Sequence, residues 1–219
     1  MPTLSREGNL RVLDLGDDEN RFTIEAIAAI NRCLDEIEAD PSPVALITTA
    51  SGRFFSNGLD TDALADPVLR ATYIPVVEHL LARFLTFPVP TIAAINGHAF
   101  GGGALLAMAH DFRVMRADRG FFCFPEVDLG MGFTPLMSAL VADKVTPQTA
   151  VEAMTTGRRY GGPDAWGRGL VDATASEEEL VATAAARVRD LAGKDRRALG
   201  QIKAELFGRA AALAGTSFG

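Results

Sequence analysis

Short apolar runs that alternate with helical patterns constrain the fold of this chain more than any other feature of its sequence. Val44–Thr49 and Thr91–Asn96 are apolar runs with the length of a buried strand. Before the first of these runs, apolar residues recur every three or four positions, as Ile27, Ile30 and Leu34 do, which is typical of a helix. A second helical region is expected between the two runs, from about residue 62 to 87. After about residue 135 helical patterns dominate. The sequence therefore predicts an α/β core followed by C-terminal helices.

Length and charge exclude several classes of protein. The 219 residues are 48% hydrophobic, and the sequence has no repeat or linker, so we expect a single domain over residues 1–219. A net charge of −7 argues against binding to nucleic acid. The start of the chain, Met1–Arg6, has no apolar signal core, and no run reaches the ~20 apolar residues of a membrane span. We therefore expect a cytoplasmic protein that does not bind a membrane.

The first candidate functional segment is Ser51–Asp60, which is rich in glycine and serine and directly follows a predicted strand. A turn of this composition can leave backbone N–H groups unpaired and directed into a cleft. An ordinary connection between a strand and a helix explains the segment equally well.

The second candidate segment is Asn96–Gly103, which leads from a strand into a helix and ends in three consecutive glycines. Glycine destabilises a helix by about 0.5–1 kcal/mol relative to alanine, so a compensating role is expected. The spacing matches neither the dinucleotide fingerprint nor the P-loop. The segment thus predicts a helix N-terminus directed at a developing oxyanion, with close helix–strand packing as the alternative.

The third candidate segment, Phe121–Gly130, contains two carboxylates after an apolar, aromatic strand. Burial among apolar groups should raise the pKa of Glu126, as suits a general base near neutral pH. Asp128 is a second candidate, and Glu126 as a plain surface carboxylate is the alternative.

Taken in order, F-F-S-N-G-L-D, N-G-H-A-F-G-G-G-A-L-L-A-M-A-H-D and F-P-E-V-D-L-G resemble the crotonase (enoyl-CoA hydratase/isomerase) superfamily, over roughly residues 10–207. The resemblance implies a crotonase-type ββα spiral core over residues 1–190 and a short C-terminal helical segment over 191–219. It also implies an acyl-CoA thioester as substrate, no separate cofactor, and a homo-oligomer, typically a trimer.

The same resemblance implies roles for individual residues. The backbone N–H groups of Leu59 and Gly102 would form the oxyanion hole, and Glu126 would be the catalytic acid and base. Further residues would contact the substrate or its CoA portion: Arg53, Ser56, Asn57, Gly58, Asp60, Gly101 and Lys203. For Lys203, an exposed charge on an amphipathic helix is an equally good explanation.

One departure from the hydratase pattern selects among the reactions of the superfamily. Hydratases carry a glutamate two residues after the glycine triplet, where this chain has Leu105, so Glu126 stands alone. A single base can move a proton from C2 to C4, and the Glu126–Met131 context resembles the Δ3,Δ2-enoyl-CoA isomerase branch. Hydration, thioester hydrolysis and acyl-CoA binding without catalysis remain the alternatives. No spacing of His, Cys, Asp or Glu indicates a metal site.

Overall fold

The computed structural model describes residues 1–216, so the last three residues of the predicted C-terminal segment lie outside it. The strands are β1 (Thr3–Glu7), β2 (Leu10–Asp14), β3 (Ala45–Thr49), β4 (Phe54–Ser56), β5 (Thr91–Ile95), β6 (His98–Phe100), β7 (Phe112–Arg116), β8 (Phe122–Cys123) and β9 (Ala173–Ala175). The helices are α1 (Ile24–Ala39), α2 (Thr61–Ala65), α3 (Pro67–Leu85), α4 (Gly102–Ala109), α5 (Pro135–Ala142), α6 (Pro147–Thr156), α7 (Gly162–Gly167), α8 (Leu180–Val188) and α9 (Arg196–Ala211).

The strands form two sheets, and the chain passes between them at regular intervals. The larger sheet has the order β1-β2-β3-β5-β7-β9, parallel except for the β1–β2 pair, and the smaller parallel sheet has the order β4-β6-β8. Three successive turns of the chain each supply one strand to the larger sheet, one to the smaller sheet, and then helix. This is the predicted ββα spiral, and the prediction of its fold class is confirmed.

Alternate residues of the central strands face two separate cores. On one face of the larger sheet, Leu46 and Ala93 pack in a cluster with residues of α1, α3 and α4. On the other face, Ile47 and Ile92 pack against α8. Burial on both faces explains why these strands are continuous apolar runs rather than alternating ones. None of the described helices combines the length and apolarity needed to cross a membrane.

Two parts of the structure differ from the sequence prediction. The segments predicted as turns contain the short strands β4 and β6. Sequence reasoning missed these strands because three residues between glycines are too few to show an alternating pattern. The predicted helix from about residue 62 to 87 is divided at Asp66, which has extended backbone angles and precedes Pro67. A residue before proline avoids the helical conformation, and the Asp66 carboxylate instead accepts from the N–H groups of Val68 and Leu69.

Candidate active site

The turn after β4 presents a backbone N–H group that has no acceptor in the described part of the chain. Gly58 has a left-handed φ of +82°, which glycine adopts readily. Its carbonyl accepts from the Phe22 N–H at 2.9 Å, and its own N–H donates to the Ser56 hydroxyl at 3.1 Å. The next N–H group, that of Leu59, donates to no acceptor within the described residues.

The glycine triplet brings a second free N–H group beside the first. Gly101 has φ +50°, and its N–H donates to the Cys123 carbonyl at 3.0 Å, which fixes the turn before α4 begins. A Cβ atom on Gly58 would lie 2.8 Å from the Gly102 nitrogen, and one on Gly102 would lie 3.0 Å from a Leu59 side-chain carbon. The two turns are therefore in contact. In the part of the chain that is described, the Gly102 N–H has no protein acceptor.

These two N–H groups form a site suited to a negatively charged oxygen. Gly102 is the first residue of α4, so its N–H lies at the positive end of the helix dipole. Two free backbone donors in adjacent turns have the chemistry of an oxyanion hole. The structure thus brings together Leu59 and Gly102, the donors expected from the sequence.

Glu126 lies against this pair of turns. Its position is fixed by a tight turn after β8, in which the Glu126 carbonyl accepts from the N–H groups of Leu129 and Met131 at 3.1 and 2.8 Å. A Cβ atom on Gly101 would lie 3.3 Å from Glu126 Oε1. The carboxylate therefore lies beside Gly101, the residue that precedes the Gly102 donor, and only 8% of Glu126 is exposed.

The environment of Glu126 favours its use as a base. Its Oε2 atom is buried and has no hydrogen-bond partner among the described residues. Burial raises the pKa of the carboxyl to about 7, against a smaller opposing effect of a backbone hydrogen bond. A carboxylate with this pKa accepts and releases a proton near neutral pH. The interpretation of Glu126 as a surface carboxylate is therefore wrong.

No second acid or nucleophile accompanies Glu126 at the positions the sequence suggests. Leu105 is fully buried in α4 and offers no hydrogen bond. Burial also raises the pKa of Cys123 to about 11, and its thiol donates to the Gly157 carbonyl at 3.3 Å. Asp128 is exposed. Among residues 1–216, no group of His, Cys, Asp and Glu side chains could hold a metal ion.

Two residues predicted to contact the substrate or CoA make hydrogen bonds within the protein. Ser56 is fully buried, and its hydroxyl donates to the Asn20 carbonyl at 2.7 Å while accepting from Gly58. The prediction that it contacts a ligand is wrong, because both functions of the hydroxyl are used internally. The Asp60 carboxylate accepts from the Asp62 N–H at 3.0 Å and caps α2.

Lys203 also has a different role from the one predicted. Its ammonium group donates to the carbonyls of Phe87 and Val89 at 2.8 Å and forms a salt bridge to Asp111 at 2.6 Å. All three hydrogens of the ammonium group are thereby used, and only 3% of the residue is exposed. Both interpretations from the sequence, a CoA contact and an exposed helical charge, are wrong. The residue anchors α9 to the core.

Arg53 and Asn57 remain candidates for contact with CoA. Arg53 is exposed, with its guanidinium carbon 5.3 Å from the centre of the Phe54 ring, and it forms no salt bridge within the described part of the chain. Asn57 is half-buried, and its backbone N–H donates to the Glu19 carbonyl at 2.8 Å.

Two further residues, Tyr73 and Arg21, contact the turn Ser56–Asp60, which we call the oxyanion turn, although neither was singled out by sequence reasoning. The Tyr73 hydroxyl accepts from the Asp60 N–H at 2.8 Å, and Arg21 donates to the Leu59 carbonyl at 3.0 Å. Neither residue belongs to a motif. Their partners in the turn are distant along the chain, and local spacing carries no signal for such contacts.

Comparison with known proteins agrees with this geometry. Residues 7–215 match the family profile described as Enoyl-CoA hydratase/isomerase. The chain belongs to this family, within the crotonase superfamily, and is an enzyme of the enoyl-CoA isomerase/hydratase type.

Relatives in the family carry out more than one reaction. The chain is 38% identical over 207 residues to the peroxisomal enoyl-CoA delta isomerase 2 of Arabidopsis thaliana, covering 89% of this chain and 86% of the relative. It is 36% identical over 162 residues to the carnitinyl-CoA dehydratase of Shigella flexneri, covering 73% and 61%. An apo structure of an enoyl-CoA isomerase from Mycobacterium tuberculosis superposes with a TM-score of 0.90 at 25% identity, covering 97% of this chain and 93% of that one.

Proposed function

We propose that this enzyme converts 3-enoyl-CoA thioesters to trans-2-enoyl-CoA by a 1,3-proton shift. The observation that carries the proposal is the buried carboxylate of Glu126 beside the N–H groups of Leu59 and Gly102, since its Oε2 atom and both N–H groups lack a partner among the described residues. The isomerase relative at 38% identity supports the same reaction.

The mechanism follows from these three groups. Glu126 as carboxylate takes a proton from C2, and the electrons of the broken C–H bond delocalise into a dienolate whose negative charge lies on the thioester oxygen. The N–H groups of Leu59 and Gly102 donate to that oxygen. Glu126 then returns the proton to C4, which leaves the double bond between C2 and C3. CoA is part of the substrate, and we propose that no separate cofactor takes part.

Hydration is the less favoured reaction because it needs a positioned water molecule. Adding water across a double bond requires groups that activate the water and deliver a proton. Leu105, fully buried and apolar, occupies the position of the second glutamate of the hydratases. The dehydratase relative makes hydration the alternative to test.

Other parts of the proposal follow from the resemblance. We propose that Arg53, Asn57, Gly58 and Gly101 lie along the CoA portion of the substrate, and that the enzyme assembles as a trimer.

The test is a direct assay with cis- and trans-3-enoyl-CoA of several chain lengths, followed by the ultraviolet absorbance of the conjugated product. We expect conjugation by the wild type and none by Glu126→Gln, with CoA affinity retained in the variant. A parallel assay measures hydration of a 2-enoyl-CoA and release of free thiol. Binding of the 3-enoyl thioester without conjugation would overturn the isomerase assignment. Hydration, thiol release or binding alone would then identify the alternative.

A further inference from the structure

The oxyanion turn depends on the orientation of a single peptide group. The N–H of Leu59 belongs to the peptide whose carbonyl is that of Gly58, and this carbonyl accepts from the Phe22 N–H at 2.9 Å. The peptide bond is planar and trans, so its N–H points away from its carbonyl. With the carbonyl held towards Phe22, the Leu59 N–H is directed to the opposite side.

The following peptide group is held at both of its polar atoms. The Leu59 carbonyl accepts from the Arg21 guanidinium at 3.0 Å. The Asp60 N–H donates to the Tyr73 hydroxyl at 2.8 Å, and this hydroxyl donates to the Phe22 carbonyl at 2.7 Å. The peptides on both sides of Leu59 are therefore tied to Phe22, one directly and one through Tyr73. Together these contacts fix the rotation of the backbone about Leu59.

Tyr73 is well suited to this task. It lies on α3, outside the turn, and only 2% of it is exposed. Burial raises the pKa of its phenol to about 12, so the hydroxyl keeps the proton that it donates to Phe22.

We propose that Tyr73 is a positioning residue that holds the Leu59 N–H in the orientation needed to bind the enolate oxygen. This inference rests on the proposed function, because it takes the Leu59 N–H as an oxyanion donor. Tyr73 itself does not touch the substrate. Its loss should weaken the binding of a charged enolate while leaving the binding of an uncharged thioester nearly unchanged.

The chain offers a matched control at Tyr160. This residue is 1% exposed, and its hydroxyl is buried without a partner in the described residues. Tyr73→Phe and Tyr160→Phe each remove one buried hydroxyl, but only the first removes hydrogen bonds. Removal of an oxyanion donor reduces kcat by about 10²–10³. A misaligned donor should have a smaller effect, so we expect Tyr73→Phe to lower kcat about 10- to 100-fold with KM changed less than about twofold.

The decisive readout is the ionisation of a bound 3-ketoacyl-CoA. Its enolate absorbs in the ultraviolet, so the measurement requires no turnover. We expect Tyr73→Phe to reduce the enolate fraction about tenfold or more, Tyr160→Phe to leave it unchanged, and a saturated acyl-CoA to bind both variants like the wild type. Equal enolate fractions in the two variants would overturn the inference, as would a parallel loss of saturated acyl-CoA affinity. Should Tyr73→Phe fail to fold, Arg21→Met removes the contact to the Leu59 carbonyl and should act in the same direction. If the wild type does not isomerise 3-enoyl-CoA, the proposed function fails while this measurement still tests Tyr73.

Discussion

Glu126 and Lys203 are both buried charged residues that the sequence suggests as site residues, but in the structure they have different roles. Lys203 has an acceptor for each of its three ammonium hydrogens, among them the carboxylate of Asp111. Glu126 has a buried carboxylate oxygen with no partner among the described residues. The contacts of Lys203 stabilise the fold, whereas the unpaired oxygen of Glu126 can accept a proton.

The difference follows from the energetics of buried polar groups. A buried charge is tolerated when its hydrogen bonds are satisfied, whereas an unsatisfied group destabilises the native state, so its presence calls for another purpose. Glu126 therefore indicates function, because a group whose pKa is strongly perturbed by burial in a site is a candidate for catalysis. Loss of Glu126 should affect activity without reducing stability, and loss of Lys203 should do the reverse.

The largest effect is expected for Glu126→Gln. Removing the base should lower kcat for 3-enoyl-CoA by about 10³-fold, because a positioned general base supplies about 10²–10⁴ and the buried Leu105 cannot replace it. The free energy of unfolding at pH 8, measured with denaturant, should not fall. Asp128→Asn, which removes an exposed carboxylate two residues away, is the matched control and should keep kcat within about threefold. Equal losses of kcat in the two variants would contradict the assignment of Glu126, rather than Asp128, as the base.

Lys203→Met should have the opposite effect. It leaves the Asp111 carboxylate without its charged partner, so we expect the free energy of unfolding to fall by about 3 kcal/mol. The folded fraction should isomerise 3-enoyl-CoA at close to the wild-type rate. Lys194→Met, at an exposed lysine, should change neither quantity. A loss of CoA affinity in Lys203→Met without a loss of stability would contradict this role and indicate that Lys203 contacts CoA.

The pH dependence of activity and of stability gives a third test of the role of Glu126. Because Glu126 must be ionised to act, kcat/KM should fall about tenfold per pH unit below about pH 7 and level off above it. The folded state favours the protonated carboxyl, so wild-type stability relative to Glu126→Gln is highest below pH 4.5. It should decline by up to roughly 3 kcal/mol as the pH rises from about 4.5 to about 7. A flat difference over this range would show that Glu126 has its ordinary pKa.

The smallest effect is expected for two glycine substitutions. Gly101 and Gly130 have φ of +50° and +65°, so alanine at either position should destabilise the protein by about 1–3 kcal/mol. Only at Gly101 would the new Cβ meet the Glu126 carboxylate, at 3.3 Å, since the Cβ on Gly130 meets nothing within 4 Å. Gly101→Ala should therefore lower kcat about tenfold while Gly130→Ala leaves it unchanged. Equal kcat values for the two variants would mean that the position of the Glu126 carboxylate does not depend on the absence of a side chain at Gly101.

The sequence predicted the parts of the site that lie in its three segments, and those parts are together in the structure. Leu59, Gly102 and Glu126 follow strands β4, β6 and β8, which are neighbours in the smaller sheet. Because the ends of parallel neighbouring strands lie at one edge, motifs that follow them meet there.

Contacts between distant segments could not be predicted in this way. Lys203 appeared as a charge on the last helix, and only the folded chain brings it to Phe87, Val89 and Asp111. Tyr73 lies in a region predicted only as helix, and its hydroxyl reaches Asp60 and Phe22 only in the folded chain.

The central claim is that Glu126 alone carries the proton from C2 to C4. The most direct test follows a 3-enoyl-CoA labelled with deuterium at C2 through a single turnover in ordinary water. Because Glu126 is 8% exposed and its Oε2 atom is buried, the proton that it takes up should exchange slowly with solvent. We predict deuterium at C4 of the conjugated product from the wild type, and no product from Glu126→Gln. Complete loss of the label to water, or conjugation by the variant, would contradict a single buried base.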